Sequence, residues 1–199
     1  MLTGLLHRVV SRPLGYDLAQ RLAGAKKVRR RLAARIEPLR DAGVVLDIGG
    51  GTGAIGEMWS AASKYICLDI DPLNLEGFAA KNPTGIALLA DAARVPIADG
   101  SVDVVLCTNV THHLPDVVLE RMVAESARVL NPCGKFILSD AIWAPRRRTG
   151  RLIWRYDRGT FPRTAEALRD VIGGQLHIEQ WDQFAIWHEY IICVAGRRS

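Results

Sequence analysis

The chain has 199 residues, of which 49% are hydrophobic and 24% are charged, and its formal net charge is +5. This composition is typical of a folded globular protein and excludes an intrinsically disordered chain. No apolar run approaches the roughly 20 residues that a membrane-spanning helix needs. The four cysteines have no paired short spacing, which argues against a disulfide scaffold or a cysteine zinc site. We therefore expect one main domain in a reducing cytoplasm.

The charge is unevenly distributed along the chain. Residues 1–40 contain ten basic and two acidic residues, whereas residues 41–199 contain 16 basic and 19 acidic residues. Within the second part, residues 145–163 contain seven arginines and one aspartate. Basic segments attract phosphate, acidic lipid or RNA, but they also occur as solvated surfaces that only confer solubility. Both interpretations stay open at this point.

Two amphipathic helices are predicted at the amino terminus. Residues 2–10 space leucine and valine along one helix face, and a second apolar stripe runs from Leu18 to Ile36 with a basic outer side. The first helix is too short to be stable alone in water, so its apolar face must dock on the domain or on a membrane. The predicted organisation is a helical lid or basic arm over 1–40 and a main domain over 41–199, with a basic helical insertion at 145–175.

From residue 44 the pattern alternates between strands and helices. Strands are predicted at Val44–Ile48, Tyr65–Ile70, Ile86–Ala90, Val102–Cys107 and Lys135–Ser139. Helices are predicted at Ile55–Ala62, after Asp71-Pro72 and at Asp116–Leu130, where Asn131–Gly134 forms a closing turn. This order predicts a parallel sheet covered by helices on both faces.

The carboxyl-terminal part departs from this alternation. A helix is predicted near Thr164–Ile172, followed by strands at Leu176–Ile186 and Tyr190–Ala195. The gap between these strands is too short for a crossover helix, so they must form an antiparallel hairpin. The sequence therefore predicts a doubly wound sheet that ends in a β-hairpin.

A glycine-rich loop, Gly49-Gly50-Gly51-Thr52-Gly53, follows the first of these strands. Ligands bind at the carboxyl ends of strands in such sheets, and glycines allow a ligand to approach the backbone closely. The spacing G-x-G-x-x-G/A occurs twice in this loop, which keeps a dinucleotide ligand open as an alternative.

Carboxylates at three consecutive strand ends favour a different ligand. Asp47 lies beside the glycine loop, where it would repel a pyrophosphate but not a cationic amine or sulfonium. Asp69 ends the second strand and is suitably placed for ribose hydroxyls, and Asp91-Ala92 ends the third. A ligand with an adenosine and a positive amino-acid end suits this arrangement.

Five segments, taken in their order along the chain, resemble the motifs of a known family, the class I S-adenosylmethionine-dependent methyltransferases. The segments are VVLDIGGGTG (44–53), LDIDP (68–72), DAARVPIADGSVDVVLC (91–107), TNVTHHLPD (108–116) and VLNPCGKFILS (129–139). The resemblance is closest to the branch that methylates small molecules, including quinones and lipids. It implies an α/β fold with a doubly wound, mostly parallel, Rossmann-like sheet of seven strands that ends in the antiparallel hairpin.

The resemblance also implies roles for individual residues toward S-adenosylmethionine. Gly49, Gly51 and Gly53 would approach its methionine part, with Asp47 at the amino group and Asn109 nearby. Asp69 would bind the ribose, and the adjacent Ile70 is a further cofactor-binding candidate. Asp91 and the Ala92 backbone would bind adenine.

His112 and His113 follow the fourth strand and are the candidate general bases, because imidazole titrates near neutrality. The same turn could equally serve only to cap the loop and pack on the next helix. No carboxylate precedes the two histidines in their loop, which argues against a metal site. Candidate residues for the acceptor pocket are Tyr16, Trp143, Tyr156 and, with them, Trp154.

The predicted function is transfer of a methyl group to a small-molecule acceptor of lipid-like or aromatic type. Two alternatives remain, a nucleotide-dependent oxidoreductase and a non-catalytic methyltransferase-like docking subunit. Nucleic acid is disfavoured, since Asn109-Val110-Thr111-His112 lacks the Pro-Pro-aromatic motif of exocyclic-amine enzymes. The basic segments would hold the enzyme on the anionic inner face of a membrane, as a peripheral protein.

Overall fold

The computed structural model describes residues 24–147, 149–150, 154 and 161–198. Over these residues, seven strands form one sheet with helices on both faces. The strands are β1 Val44–Ile48, β2 Lys64–Asp69, β3 Ile86–Leu89, β4 Val102–Thr108, β5 Leu130–Ile142, β6 Leu176–Ala185 and β7 Glu189–Arg197. The α-helices are α1 Ala25–Ile36, α2 Pro72–Lys81, α3 Asp116–Val129 and α4 Ala165–Gln175.

The strand order is β3-β2-β1-β4-β5-β7-β6. The first five strands in this order run parallel, whereas β7 pairs antiparallel with both β5 and β6. The order reverses between β1 and β4, and crevices for ligands form at the carboxyl ends of strands beside such a reversal. The predicted Rossmann-like sheet with a terminal antiparallel hairpin is confirmed.

Two apolar layers cover the sheet. On one face, Leu32 and Ile36 of α1 and Leu75 and Phe78 of α2 are buried against the strands. On the other face, apolar residues of α3 and α4 pack on the central strands. Both layers consist of buried apolar side chains, so the sheet is a rigid platform on which the loops at its carboxyl edge are held.

The terminal hairpin is arranged in a way that the sequence did not predict. The later strand, β7, lies between β5 and β6, so that β6 forms the edge of the sheet. All residues from Tyr190 to Gly196 are buried, whereas most of β6 is exposed or half-buried. The continuous apolar run of β7 therefore matches an interior strand, and the polar β6 matches an edge.

Two predicted elements were wrong. The helix predicted at Ile55–Ala62 is reduced to one 3₁₀ turn, Gly56–Met58, because Gly53, Gly56 and Trp59 donate hydrogen bonds to carbonyls three residues back and Trp59 is then extended. The turn predicted at Asn131–Gly134 belongs instead to β5, which starts at Leu130 paired with Val102. The register shift between Val102 and Val104 absorbs this segment as a bulge.

The second predicted amino-terminal helix is present as α1, and its apolar face docks on the sheet. The first predicted helix, over residues 2–10, lies outside the described residues, as does most of the arginine stretch. Among the described helices, none is long and apolar enough to cross a membrane.

Candidate functional site

The glycine loop lies at the carboxyl end of β1, and three of its glycines have left-handed backbone angles. The φ angles are 67° at Gly49, 57° at Gly51 and 74° at Gly53. A Cβ atom on Gly49 would lie 2.5 Å from Val110 Cγ2, and one on Gly53 would overlap the Phe78 ring. A Cβ on Gly51 would meet no atom of the described residues within 4 Å. Gly51 therefore faces open space, and its missing side chain leaves room for a ligand.

Asp69 at the end of β2 fixes this loop. Its Oδ2 accepts a hydrogen bond from the Gly51 amide at 2.9 Å, and its Oδ1 accepts from the amide of Asp71 at 2.9 Å and from Asn74 Nδ2 at 3.2 Å. The side chain is buried, with 7% of its surface exposed. A carboxylate offers about four lone-pair positions, so Oδ2 can accept one further bond, as from a sugar hydroxyl.

Asp47 is buried beneath the loop, with 1% of its surface exposed. Its Oδ2 accepts a hydrogen bond from the Tyr65 hydroxyl, while its Oδ1 has no hydrogen-bond partner among the residues that the structure describes. Burial, partly offset by the Tyr65 bond and reinforced by the charge of Asp69, raises the pKa of Asp47 from 3.8 to about 7. Asp47 therefore holds an unsatisfied acceptor atom in a place where a cation would be stabilised.

The remaining predicted cofactor residues lie around the same edge. Asp91 is exposed after β3 and accepts from the Ala93 amide at 2.8 Å, with Ala92 half-buried beside it. Ile70 leaves 73% of its surface exposed next to Asp69. Asn109 follows β4 with a φ of 56°, and its amide donates to the Ser139 carbonyl at 2.9 Å. The topology thus brings together the ends of β1 to β4, as the sequence predicted.

The two candidate histidines lie on a 3₁₀ turn, Thr111–His113, in different environments. His112 is buried, and its Nδ1 lies 2.6 Å from Asp140 Oδ1. His113 is exposed, with its ring centroid 4.2 Å from that of His112. Trp154 is buried and presents its ring edge-on to His112 at 5.6 Å between centroids.

The predicted acceptor residues are only partly within the described part of the chain. Trp143 is half-buried and packs against the cluster that contains α1, while its amide donates to the Arg163 carbonyl at 2.6 Å. Tyr16 and Tyr156 lie outside the described residues. The structure brings Trp154 to the His112 turn but leaves the pocket-lining roles of the other aromatics as predictions.

Four residues at this edge were missed by the sequence analysis: Tyr65, Asp140, Arg163 and His188. Asp140 is an acidic residue within the apolar run of β5, and that position is the signal that could have identified it. Arg163 was visible only as one of seven arginines. Tyr65 stood at the start of a strand-like apolar run and His188 in the three-residue gap between the last two predicted strands, and neither had a distinguishing pattern.

Comparison with known proteins agrees with this geometry. Residues 46–138 match the methyltransferase domain family. Over 100 residues the chain is 36% identical to an uncharacterized methyltransferase of Mycobacterium sp. (strain JLS), a match that covers 50% of this chain and 39% of that protein. The chain thus spans about two fifths of the length of the curated relatives it matches.

Solved structures share the fold at low sequence identity. The PH0226 protein of Pyrococcus horikoshii OT3 superposes with a TM-score of 0.70 at 17% identity, covering 85% of this chain and 91% of that one. Geranyl diphosphate C-methyltransferase of Streptomyces coelicolor A3(2), solved with Mg²⁺, geranyl diphosphate and S-adenosyl-L-homocysteine, gives 0.69 at 12% identity, covering 85% and 77%. The chain therefore has the Rossmann-like fold of methyltransferases, and its residues 46–138 are similar to the methyltransferase domain family.

Proposed function

We propose that the protein binds S-adenosylmethionine at the carboxyl edge of the sheet and transfers its methyl group to a small-molecule acceptor. The observation that carries this proposal is the open space in front of Gly51, whose backbone amide is held by the Asp69 carboxylate. The methyltransferase domain match over residues 46–138 and a structural neighbour solved with S-adenosyl-L-homocysteine support the choice of ligand.

The residues present suit this ligand chemically. The unpartnered Oδ1 of Asp47 offers an acceptor for the amino group of the methionine part, and the spare lone pair of Asp69 offers one for a ribose hydroxyl. Ile70 provides an exposed apolar side chain next to Asp69. The ligand supplies an activated methyl group, so the protein need only align the reactants and accept a proton where the acceptor must lose one.

The finer assignments follow as parts of the same proposal. The acceptor is of lipid-like or aromatic type, and His112 or His113 serves as its base. Two alternatives remain for the same glycine loop. The first is a nucleotide-dependent oxidoreductase, and the second is a docking subunit that keeps the pocket but has no turnover. Calorimetric titration distinguishes these three functions when the affinities of the full chain for S-adenosylmethionine, S-adenosylhomocysteine, NADH and NADPH are compared.

Two substitutions test whether the ligand binds at the proposed site, the glycine loop and Asp69. Gly51→Ala fills the open space at a folding cost of about 1 kcal/mol for the left-handed backbone, so we expect binding to be lost in a protein that remains folded. Asp69→Asn should weaken the binding of S-adenosylmethionine by about tenfold or more, because it removes a charged acceptor. Asp41→Asn, an exposed aspartate before β1 at the opposite edge, is the matched control and should bind like the wild type.

Each outcome of the titration favours one of the three functions. Micromolar binding of S-adenosylmethionine that is lost in Gly51→Ala supports the proposal. Binding of the nicotinamide cofactors alone would identify an oxidoreductase. Unchanged S-adenosylmethionine binding in Gly51→Ala would show that the ligand lies elsewhere. Binding without turnover of any quinone or lipid acceptor would favour the docking subunit.

We also propose an anionic membrane surface as a partner. The apolar face of α1 is buried, so its contribution to such binding is electrostatic, through the exposed Lys26, Lys27 and Arg30. Each basic residue near an anionic surface contributes about 1 kcal/mol. Flotation with anionic vesicles at low salt should recover the wild type but not K26E/K27E/R30E, and equal recovery of both would remove this face from the proposal.

A further inference from the structure

The sheet has two edge strands, and they differ in how they are protected against pairing with another chain. At one edge, β6 carries Glu179 and Asp182, and its register with β7 shifts between Ile178 and Gln180. Charged side chains and bulges are devices that keep an edge strand from pairing with a further strand. At the other edge, the four residues of β3 are all apolar and their register with β2 is regular. The β3 edge therefore lacks the protection that β6 has.

The surface around β3 is also apolar. Leu89 of β3 exposes 60% of its surface, and Ile86 is exposed at the other end of the strand. Asp69 pairs with Leu89, so the segment that follows β2 begins beside the end of β3. That segment contributes the exposed Ile70 and Leu73, the latter with 70% of its surface exposed. Four of the seven large apolar side chains that are exposed in the described part of the chain thus belong to this region, a grouping typical of an interaction surface.

The backbone of β3 presents hydrogen-bonding groups on the same side. In a parallel pair, every second residue directs its N–H and C=O toward the neighbouring strand. The Ala90 amide donates to the Asp69 carbonyl at 3.2 Å, so the residues in phase with Ala90 face β2. Ala87 and Leu89 are out of phase with it and point their backbone groups outward, where the described residues place no further strand. This edge can therefore accept one more strand.

A second copy of β3 matches these groups when it runs antiparallel. With a two-fold axis at Leu88, Ala87 of each copy lies opposite Leu89 of the other. Both residues direct their backbone groups outward, so each such pair exchanges both of its hydrogen bonds. Leu88 then lies opposite its own counterpart, at a position without backbone bonds, where side chains approach most closely.

The charges at the two ends of β3 favour a second copy over a strand of another protein. Lys81 at the end of α2 precedes β3, Asp91 follows it, and both are exposed. Antiparallel pairing places the beginning of one β3 beside the end of the other. Lys81 of each copy therefore lies at the same end of the interface as Asp91 of the other copy, so the edge is complementary in charge to itself.

We propose that two copies of this chain pair antiparallel through β3 and form a dimer with one continuous sheet. Because both copies use the same edge, the assembly closes at two copies and leaves the protected β6 strands as its outer edges. The pairing does not depend on methyl transfer or on any bound ligand, so it can be tested separately from the proposed function.

Sedimentation equilibrium of the full chain without ligand measures the association. Leu89→Lys removes two leucines from each dimer and adds two like charges, so it should weaken the association by about a hundredfold or more. Ala87→Pro removes an outward N–H, at a position where an edge strand tolerates proline, and should also give monomers. Val117→Lys, on α3 with 58% of the side chain exposed, is the matched control and should dimerise like the wild type.

A cysteine cross-link tests the register of the two strands. In a Cys133→Ser background, which removes the exposed thiol, Leu88→Cys brings two Cα atoms to about 4.5 Å across the axis. This separation suits a disulfide, so a mild oxidant should link the two copies. Ala87→Cys in the same background is the control, because its two copies lie on a diagonal at about 7–8 Å and should not link.

The proposal is supported by a dimer in the wild type and in Val117→Lys that is lost in Leu89→Lys and Ala87→Pro and is trapped by Leu88→Cys. A monomeric wild type would overturn it and leave a strand of another protein as the occupant of the edge. A dimer that persists in both β3 variants would place the interface elsewhere. Linking of Ala87→Cys instead of Leu88→Cys would overturn the proposed axis, and this result does not require Leu89→Lys to fold.

Discussion

Replacing Asp47 by asparagine should remove a pH dependence from the stability of the fold. Asp47 is buried, its Oδ1 has no partner within the described part of the chain, and burial raises its pKa from 3.8 to about 7. A group whose folded pKa is raised stabilises the fold in full below its unfolded pKa, and this contribution is lost as pH rises through the folded value. The wild type should therefore become less stable between about pH 4 and pH 7.

The magnitude follows from the size of the shift. Each pKa unit corresponds to 1.36 kcal/mol, so the shift from 3.8 to about 7 amounts to about 4 kcal/mol. Other titrating groups cancel when the wild type is compared with Asp47→Asn at each pH. Relative to the variant, the wild type should lose about 4 kcal/mol of unfolding free energy between pH 3 and pH 8.

Urea denaturation at several pH values across this range, without any ligand, measures the difference. Asp41→Asn serves as the control and should track the wild type at every pH, because Asp41 is exposed. A difference between wild type and Asp47→Asn that stays constant with pH would refute the reasoning. It would mean that Asp47 titrates in the folded protein as it does in the unfolded chain.

Three further expectations test other parts of the structure. Phe136→Ala removes a fully buried ring and should cost about 3–5 kcal/mol in urea denaturation, whereas Phe161→Ala, at an exposed position, should change stability by less than about 0.5 kcal/mol. The Arg163 guanidinium donates to the carbonyls of Thr111 at 2.7 Å and Leu114 at 2.6 Å. Arg163→Ala removes these bonds, so we expect faster amide hydrogen exchange in that turn, whereas unchanged exchange would show that the contacts do not hold it. Of the four cysteines, only Cys133 is exposed, and burial raises the pKa of the Cys67 and Cys193 thiols to about 12 and that of Cys107 as well. A thiol reagent should therefore titrate one cysteine quickly in the native protein and all four after denaturation, and more than one fast thiol would contradict this burial.

The elements that the sequence predicted well are those that local chemistry determines. The β1 strand is a β-branched run that ends at a glycine loop, and Asp71 and Thr164 cap α2 and α4 with their side chains, as such residues do at helix starts. The three residues between the last two strands were enough to require a hairpin. The carboxylates at Asp47 and Asp69 were located because parallel strands end at one edge of the sheet.

The parts that the sequence did not predict depend on contacts between distant segments. The position of β7 between β5 and β6 is a choice among strand pairings that satisfy the same hydrophobic pattern. Residues 55–62 have an apolar spacing that is compatible with a helix, but the glycines of this loop favour 3₁₀ bonding instead. The pairing of Asp140 with His112 joins residues 28 positions apart, and no local signal connects them.

Asp47 and Asp140 show how one sheet edge gives two carboxylates opposite properties. Both are buried at the carboxyl ends of neighbouring parts of the sheet, so desolvation alone would raise the pKa of each. Asp140 receives four hydrogen bonds, one of them from a histidine that can carry charge, and its pKa is lowered. Asp47 receives one bond from Tyr65, and its pKa is raised. The difference therefore comes from the donors that the fold supplies. The described residues supply Asp140 with a full set of hydrogen bonds, whereas they leave Asp47 without the second partner that a bound cation would provide.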